Sequence, residues 1–384
     1  MATDLLSELL VNPKRAETFS MQEWDLLVCQ AGHARLLGRL HHLFHANGLG
    51  EKVPDPVRWH FEAAARMTSR HKESVKWEAV QIQRALEKVG VPIVLLKGAA
   101  YAMCDLPAAT GRLFLDIDIL VPKPSLSEVE TALNRSGWHA THHDEYDQRY
   151  YRKWMHELPP LKHLKRQTVL DVHHTILPET ARLTPDPHLM ILDSVPIEGE
   201  QDLYVLSPAD MVLHSATHLF HDGELEHGLR DLVDLDSLVR HFSEKDPQFF
   251  DSLVKRAGVM NLERPLYYAL QYTNKILNTP VPEDIMGKAK PGGPGLLLSG
   301  LMDSLFTRAL KPDHPSCEDG FTGIARWMLY VRSHYLRMPP HLLIPHLLYK
   351  AVVTPYTEWR NAKDEKPVTN LNEFMKNIKA DKQL

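Results

Sequence analysis

The chain has few cysteines and no long basic block, and these two absences exclude several classes of protein. Three cysteines occur among its 384 residues, at Cys29, Cys104 and Cys317. An odd and widely spaced set argues against a disulfide framework and suits a reducing compartment. The formal net charge is −5, so a broad electrostatic footprint for nucleic acid is absent. We therefore expect no nucleic-acid partner.

Long apolar runs are also missing. No stretch approaches the roughly 20 apolar residues that a membrane span needs. The first ten residues, MATDLLSELL, carry acids where a signal peptide has a basic end. From these two features we expect no membrane partner and a cytoplasmic location.

The most informative stretch is VPIVLLKGAAYAMCDLPAATGRLFLDIDILVP, residues 91–122. It begins as an apolar strand, breaks at Lys97-Gly98, and ends on a second apolar run that contains Asp116 and Asp118. Because side chains alternate between the two faces of a strand, these carboxylates share one face. Two like charges on an apolar strand favour a divalent cation with oxygen preference, Mg²⁺ or Mn²⁺. A solvated edge strand fits a bare D-x-D pattern about equally well.

A third acid, Asp171, interrupts the short apolar run 168–173. We predict a hairpin here, with strands near 160–164 and 167–173, so that a further strand supplies a third carboxylate. His173 follows two residues later and shares the face of Asp171. It is a candidate for contact with metal or substrate, or for a hydrogen bond to a metal ligand.

A glycine turn, a D-x-D pair and a later strand acid together resemble the nucleotidyltransferase superfamily that includes DNA polymerase β. More narrowly, LLKGAA, GRLFLDIDILVP and LDVHH resemble a family of uncharacterised bacterial nucleotidyltransferases, roughly over residues 91–174. The resemblance implies that Asp116, Asp118 and Asp171 bind two metal ions, Mg²⁺ or Mn²⁺, which hold a nucleoside triphosphate. It also implies that Asp171 helps to draw the proton from the acceptor hydroxyl.

The glycine turn departs from the pattern of the superfamily. The usual Gly-Ser is replaced by Lys97-Gly98-Ala99, which removes a hydroxyl that would hold phosphate. Lys97 can supply charge instead, and the amides of Gly98 and Ala99 can point at phosphate from a helix N-terminus. Arg112 is a candidate phosphate fork. A surface lysine and a loop arginine paired with a neighbouring acid are the alternatives.

A second candidate region is the helix predicted to begin after Ser207. His214 and His218 lie four residues apart and share a face of this helix. We expect them to line the active-site cleft, with Arg230 or Asp231, and to meet the nucleobase, acceptor or phosphates. The same histidines leave two other interpretations open, which are a metal site and plain helix packing.

These patterns predict an α+β protein, in which a small mixed β-sheet bears the three carboxylates. N-terminal helices and a larger C-terminal helical domain flank this nucleotidyltransferase core. The predicted parts are a helical region (1–90), the core (91–175), a linker or irregular strands (176–206), a helical domain (207–355) and a polar tail (356–384).

The function implied by the resemblance is transfer of a nucleotidyl group from a nucleoside triphosphate, with ATP the expected donor. The acceptor is a hydroxyl of an unknown small molecule or protein. Positioning and electrostatic stabilisation would supply most of the catalysis. The altered glycine turn keeps open a catalytically inactive nucleotide-binding or partner-binding protein of the same fold. The helical histidines keep open a metal-dependent phosphohydrolase.

Overall fold

The chain divides into two units, residues 1–337 and 338–384. The computed structural model describes residues 3–348 apart from 142–147, 149–150, 153, 222 and 224. The predicted polar tail therefore lies outside the described residues. No helix among the residues that the structure describes is long and apolar enough to cross a membrane.

A seven-stranded mixed sheet forms the centre of the first unit, which confirms the α+β class. Its strands are β1 (Ile93–Leu95), β2 (Asp116–Leu120), β3 (Trp138–Ala140), β4 (Leu161–His163), β5 (Val169–His173), β6 (Val195–Pro196) and β7 (Leu203–Val205). They lie in the order β3-β4-β5-β2-β1-β7-β6. β2 pairs in parallel with β5 and antiparallel with β1. The predicted hairpin is confirmed, since β4 and β5 pair antiparallel.

Helices account for most of the remaining structure. Before the sheet come α1 (Leu5–Val11), α2 (Met21–His33), α3 (Leu37–Ala46) and α4 (Asp55–Leu86). Between strands come α5 (Lys97–Met103), α6 (Leu126–Arg135) and α7 (Pro187–Leu192). After the sheet come α8 (Pro208–His221), α9 (Gly228–Lys245), α10 (Phe249–Val259), α11 (Glu263–Leu277), α12 (Glu283–Ala289), α13 (Leu296–Ala309), α14 (Thr322–Arg337) and α15 (Pro340–Leu348).

The N-terminal helices pack around an aromatic cluster. Trp24 lies edge-on to Phe44 and Phe61, with ring centroids 5.6 Å and 6.3 Å away. Phe61 belongs to the long helix α4, which begins after Pro54, a residue whose fixed φ suits a helix start. Offset and edge-on contacts of this kind add to the energy of apolar burial. The cluster anchors α4, which runs beside the sheet residues of the candidate site.

Ser207 caps the start of α8, a position that its residue type and the proline after it both favour. Ser207 Oγ accepts a hydrogen bond from the Asp210 backbone N–H at 3.2 Å, which satisfies one of the free N–H groups of the first turn. Asp210 is buried and receives a bidentate pair from Arg256 on α10, at 2.8 Å and 2.7 Å. This ion pair holds the N-terminal end of α8 in place against α10.

Candidate active site

The three aspartates lie on one face of two adjacent strands. In the parallel pairing of β2 with β5, Asp118 stands directly opposite Asp171. Asp116 is two residues before Asp118 on β2 and so shares its face. Asp118 is buried, Asp171 half-buried, and Asp116 open to solvent. The register therefore gathers three carboxylates on a small area of the sheet.

The proximity of these carboxylates shifts their pKa values. Burial raises the pKa of Asp171 to about 8, with the charges of Asp118 and Glu157 acting in the same direction. Asp116 is exposed as a residue but lines the cavity, where desolvation by the surrounding protein atoms and the Asp118 charge raise its pKa. Burial alone would raise the pKa of Asp118, but Lys97 and His173 hold it well below its usual range. Asp116 and Asp171 therefore hold a proton more tightly than free carboxyl groups do, while Asp118 is the ionised member of the group.

One buried oxygen of the three aspartates lacks a hydrogen-bond donor among the described residues. Oδ1 of Asp171 is buried and has no hydrogen-bond partner among the described residues. A buried carboxylate oxygen without a donor costs free energy, unless it is protonated or coordinates a cation. Asp171 is therefore suited to hold either a proton or a metal ion.

Lys97 supplies a positive charge next to Asp118. It comes two residues after the end of β1 and is the first residue of α5, with φ of 43°, a left-handed conformation that costs energy for a residue with a side chain. Its Nζ lies 3.2 Å from Asp118 Oδ1. A strained backbone that aims a lysine at a carboxylate is a feature often found at functional sites.

Gly98 and Ala99 complete the turn and are buried. A Cβ atom on Gly98 would lie 2.5 Å from Nη1 of Arg112 and 2.9 Å from Cδ1 of Phe114. Because such contacts are far inside van der Waals distance, only glycine lets the Arg112 guanidinium pack against the start of α5. The glycine in the altered turn therefore makes room for an arginine.

Arg112 is held by an acid from a distant helix. Its Nε donates to Asp234 Oδ2 on α9 at 2.7 Å, and Arg39 Nη2 lies 3.5 Å from the other oxygen of Asp234. The guanidinium also lies over the rings of Tyr101 and Phe114, at 5.8 Å and 5.4 Å. The arginine is thus positioned beside the aspartates by an ion pair and two aromatic faces.

His173 lies between two acids. Its Nε2 is 3.0 Å from Asp118 Oδ1 and its Nδ1 is 3.4 Å from Glu157 Oε2. Burial alone would lower the pKa of His173, but the Asp118 hydrogen bond and the Glu157 charge raise it. The histidine is thus in hydrogen-bond contact with one of the predicted metal ligands.

The two predicted histidines of α8 occupy different environments. His218 lines the cavity beside the aspartates, together with Arg230 and Asp231 of α9. His214 is buried, and burial and the charge of Lys97 hold its pKa well below the usual range, so it is neutral. Among the described residues, these helical histidines take part in no group of three potential metal ligands within 4.8 Å.

A cavity of about 70 Å³ lies beside Asp116 and Asp118. Side chains of both charges line it, among them Lys97, Arg112, Asp116, Asp118 and Asp231, together with the imidazole of His218. A groove of about 190 Å³ adjoins it at Asp116, with apolar walls formed by Val75, Phe114, Leu115 and Val169. A charged cavity next to an apolar groove has the chemistry to contact a phosphate group and an organic group side by side.

Several residues of the site were not identified from the sequence. They are Asp234, Tyr101 and Ser215, of which the last two are in hydrogen-bond contact, 2.5 Å between their oxygens. Tyr101 lies four residues after Lys97 and Asp234 three after Asp231, so helical spacing was an available signal. Ser215 lies three residues before His218 and so carried the same signal, but only the packing of α8 on α5 shows that it contacts Tyr101.

Comparison with known proteins supports the resemblance stated from the sequence. A family model described as an uncharacterised nucleotidyltransferase matches residues 20–278. The match covers more than half of the chain and runs from the start of α2 to the end of α11. It contains the sheet and the three aspartates. Searches of curated proteins and of solved structures found no match.

Proposed function

The chain belongs to a family of uncharacterised nucleotidyltransferases, and from that premise we propose that it transfers a nucleoside monophosphate from a nucleoside triphosphate to a hydroxyl group. The expected donor is ATP, and the acceptor is a small molecule or a protein. Family membership supports nucleotidyl transfer as the general activity. The observation that carries the specific proposal is the register that sets Asp118 beside Asp171 with Asp116 on the same face.

The chemistry of these side chains suits a divalent cation, and binding one would draw the carboxylates together, because the three do not each place a ligand atom within 4.8 Å of the others. All three donors are carboxylates, the ligand type that Mg²⁺ and Mn²⁺ prefer. The unpartnered Oδ1 of Asp171 and the raised pKa values of Asp116 and Asp171 supply an independent reason to expect a cation. When bound, the metal would neutralise charge on the triphosphate and on the attacking and leaving oxygens.

The lysine, histidine and arginine side chains around the cavity suit the triphosphate. Lys97, His218 and Arg230 line it from three helices, α5, α8 and α9. Arg112 adds a guanidinium whose Nε is already committed to Asp234, so its other nitrogens are the ones proposed to reach phosphate. Charges that are preorganised by ion pairs need little reorganisation when the substrate binds.

Asp171 is the proposed acceptor of the hydroxyl proton. A general base works best when its pKa lies near the working pH, and the pKa of Asp171 in the unliganded protein is about 8. The groove beside Asp116 would then receive the organic part of the acceptor against Val75, Phe114 and Leu115. His173 would keep Asp118 oriented through its 3.0 Å contact.

The test is a binding titration of each of the four ribonucleoside triphosphates in the presence of Mg²⁺ or Mn²⁺. The wild-type chain is compared with the double variant Asp116→Asn/Asp118→Asn, with Asp25→Asn as control because Asp25 is exposed on α2. We expect metal-dependent binding of one triphosphate by the wild type and the control, and no binding by the double variant. Equal binding by all three proteins would refute the site.

An inactive nucleotide-binding protein of the same fold is the second candidate. The 3.2 Å pair between Lys97 and Asp118 favours it, since the lysine engages a carboxylate that catalysis would use. This candidate predicts nucleotide binding that Asp171→Asn leaves unchanged, with no pyrophosphate released under any acceptor mixture. The catalytic proposal predicts pyrophosphate release from the wild type and its loss in Asp171→Asn.

A further inference from the structure

A second group of potential metal ligands lies at the end of β5, next to the aspartates. His156, Glu157 and His173 each place one ligand atom within 4.8 Å of the others, and in the described part of the chain no other group of three does so. The two imidazole rings are 5.2 Å apart between centroids and inclined by 30°. All three residues are buried or half-buried.

Backbone pairing builds this arrangement. Glu157 forms an antiparallel bridge with His173, so that the two residues face each other across adjacent strands. Two further backbone hydrogen bonds hold the segment on β5, from Leu158 N to Val172 O and from His174 N to His156 O, each 2.9 Å. His156 lies in a bend just before the bridge, which turns its ring towards His173. The ligand atoms are therefore held by backbone and not by side-chain contacts alone.

The nitrogen atoms facing this group lack hydrogen-bond partners. His156 is only 9% exposed, and its buried Nδ1 has no hydrogen-bond partner among the described residues. Nδ1 of His173 is also without a hydrogen bond in the described structure and lies 3.4 Å from the Glu157 carboxylate. Buried polar atoms are satisfied in most native proteins, so two unsatisfied ring nitrogens beside a carboxylate call for an explanation.

We propose that His156, Glu157 and His173 bind one zinc ion, at a site separate from the carboxylate site for Mg²⁺ or Mn²⁺. Two imidazole nitrogens and one glutamate form the ligand set of many zinc centres with an open position. Imidazole is a poor ligand for Mg²⁺, which prefers oxygen, so the two sites select different ions.

The remaining contact of His173 fits a metal-bound imidazole. Its Nε2 faces Asp118 Oδ1 at 3.0 Å, so the ring donates to a carboxylate on one side while Nδ1 is available on the other. A ligating histidine commonly donates its second N–H to a carboxylate, which fixes the tautomer and the ring orientation. Zinc at Nδ1 would therefore orient Asp118, the residue that stands opposite Asp171. The zinc site does not depend on the proposed nucleotidyl transfer.

The experiment is a titration of the full-length, metal-free chain with Zn²⁺ in a millimolar excess of Mg²⁺, followed by metal analysis after gel filtration. His156→Gln and Glu157→Gln remove a ligand, and His188→Gln is the matched control because His188 is exposed on α7. Asp171→Asn separates this site from the Mg²⁺ site. Circular dichroism of each variant checks that it is folded.

We expect about one zinc per chain in the wild type, in His188→Gln and in Asp171→Asn, and none in His156→Gln. Glu157→Gln should lose most of the zinc, and Asp118→Asn should weaken zinc binding by roughly 10–100-fold, because it removes the carboxylate that orients His173. When Co²⁺ replaces zinc, the wild type should show the intense visible absorption of a four- or five-coordinate site. Zinc binding by a folded His156→Gln or Glu157→Gln with wild-type affinity overturns the proposal, as does a wild type that retains no zinc. In the latter case His173 would act as an imidazolium between Asp118 and Glu157.

Discussion

At the scale of single residues, Lys97 has an unfavourable backbone conformation and a positive charge that contacts Asp118. Its φ of 43° lies in the left-handed region, and its Nζ contacts Asp118. Lysine has no intrinsic preference for this conformation. The position therefore has two separable properties, a backbone cost and an electrostatic role, and substitutions can measure them independently.

Comparison of Lys97→Gly with Lys97→Ala isolates the backbone cost. Both variants lose the charge, but only alanine keeps the Cβ atom that disfavours positive φ. We expect Lys97→Gly to be more stable than Lys97→Ala by about 1 kcal/mol in urea denaturation. Arg66 is exposed in the middle of α4 and provides the control, because there glycine should be less stable than alanine by about 1 kcal/mol. The same order of stability at both positions would contradict this account.

Asp171 should make the metal-free protein sensitive to pH. Burial raises its pKa from 3.8 to about 8, so the folded state binds a proton more tightly than the unfolded state does. Its stabilising contribution is therefore complete below pH 3.8 and is lost as the pH rises through about 8. In thermal melts without divalent metal, we expect wild type to lose stability relative to Asp171→Asn between pH 6 and 9, since asparagine does not titrate.

The same measurement with Mn²⁺ provides the control for this pH effect. A cation at the carboxylates replaces the proton, so the difference between wild type and Asp171→Asn should reverse in favour of the wild type at high pH. A difference that stays constant over the whole range, with or without metal, would show that Asp171 does not titrate there.

At the scale of secondary-structure elements, strand register and helix placement decide the site. A shift of β5 by one residue would move Asp171 to the opposite face of the sheet and away from Asp118. The register is supported by Ile117 and Val172, which are buried on the other side. Helix α8 contributes Ser215 and His218 from outside the sheet, so its position also matters.

The ion pair between Asp210 and Arg256 tethers the start of α8, and its removal should lower the free energy of unfolding. Asp210 is fully buried at the start of α8, and Arg256 of α10 pairs with both of its oxygens. Arg256→Ala leaves a buried carboxylate without its cation, for which we expect a loss of about 3–5 kcal/mol in the free energy of unfolding. Lys255→Ala, at an exposed neighbouring position, should change stability by less than about 0.5 kcal/mol. Chemical denaturation measures both, and similar values would contradict the importance of the tether.

At the scale of the whole first unit, the N-terminal helices are joined to the C-terminal helices through buried polar contacts. Gln30 on α2 is fully buried and accepts from Leu6 N at 3.1 Å. Its Nε2 donates to Thr3 O and to Ser316 Oγ, each at 2.7 Å. One side chain thus connects α2, the N-terminus and the segment between α13 and α14.

Gln30→Leu tests this connection. Leucine has a similar volume but leaves the Leu6 N–H without a partner and removes one of the donors to the Thr3 carbonyl, so we expect a loss of roughly 1–3 kcal/mol in the free energy of unfolding. Gln22→Leu, at an exposed position of α2, serves as the control and should be near neutral. If the two substitutions cost the same, the buried amide is not what joins the two ends of the unit.

The sequence by itself determined the elements that rest on local chemistry. Alternating apolar residues predicted that Asp116 and Asp118 share a face, and a third carboxylate strand was predicted at Asp171. The hairpin, the Ser207 cap and the family followed from motifs that are contiguous in the chain. Ser125 and Glu128 have the residue types and spacing of a capping box, but Ser125 belongs to a 3-10 turn and makes no side-chain cap hydrogen bond.

The tertiary structure alone decided which distant residues complete the site. Asp234 reaches Arg112 across 122 positions of sequence, Ser215 reaches Tyr101 across 114, and Glu157 meets His173 through a single strand bridge. No local period links such residues, because they are brought together by the packing of helices on the sheet and by strand register. Burial, which shifts the pKa of Asp171, is likewise a property of the folded chain and cannot be read from its neighbours in sequence.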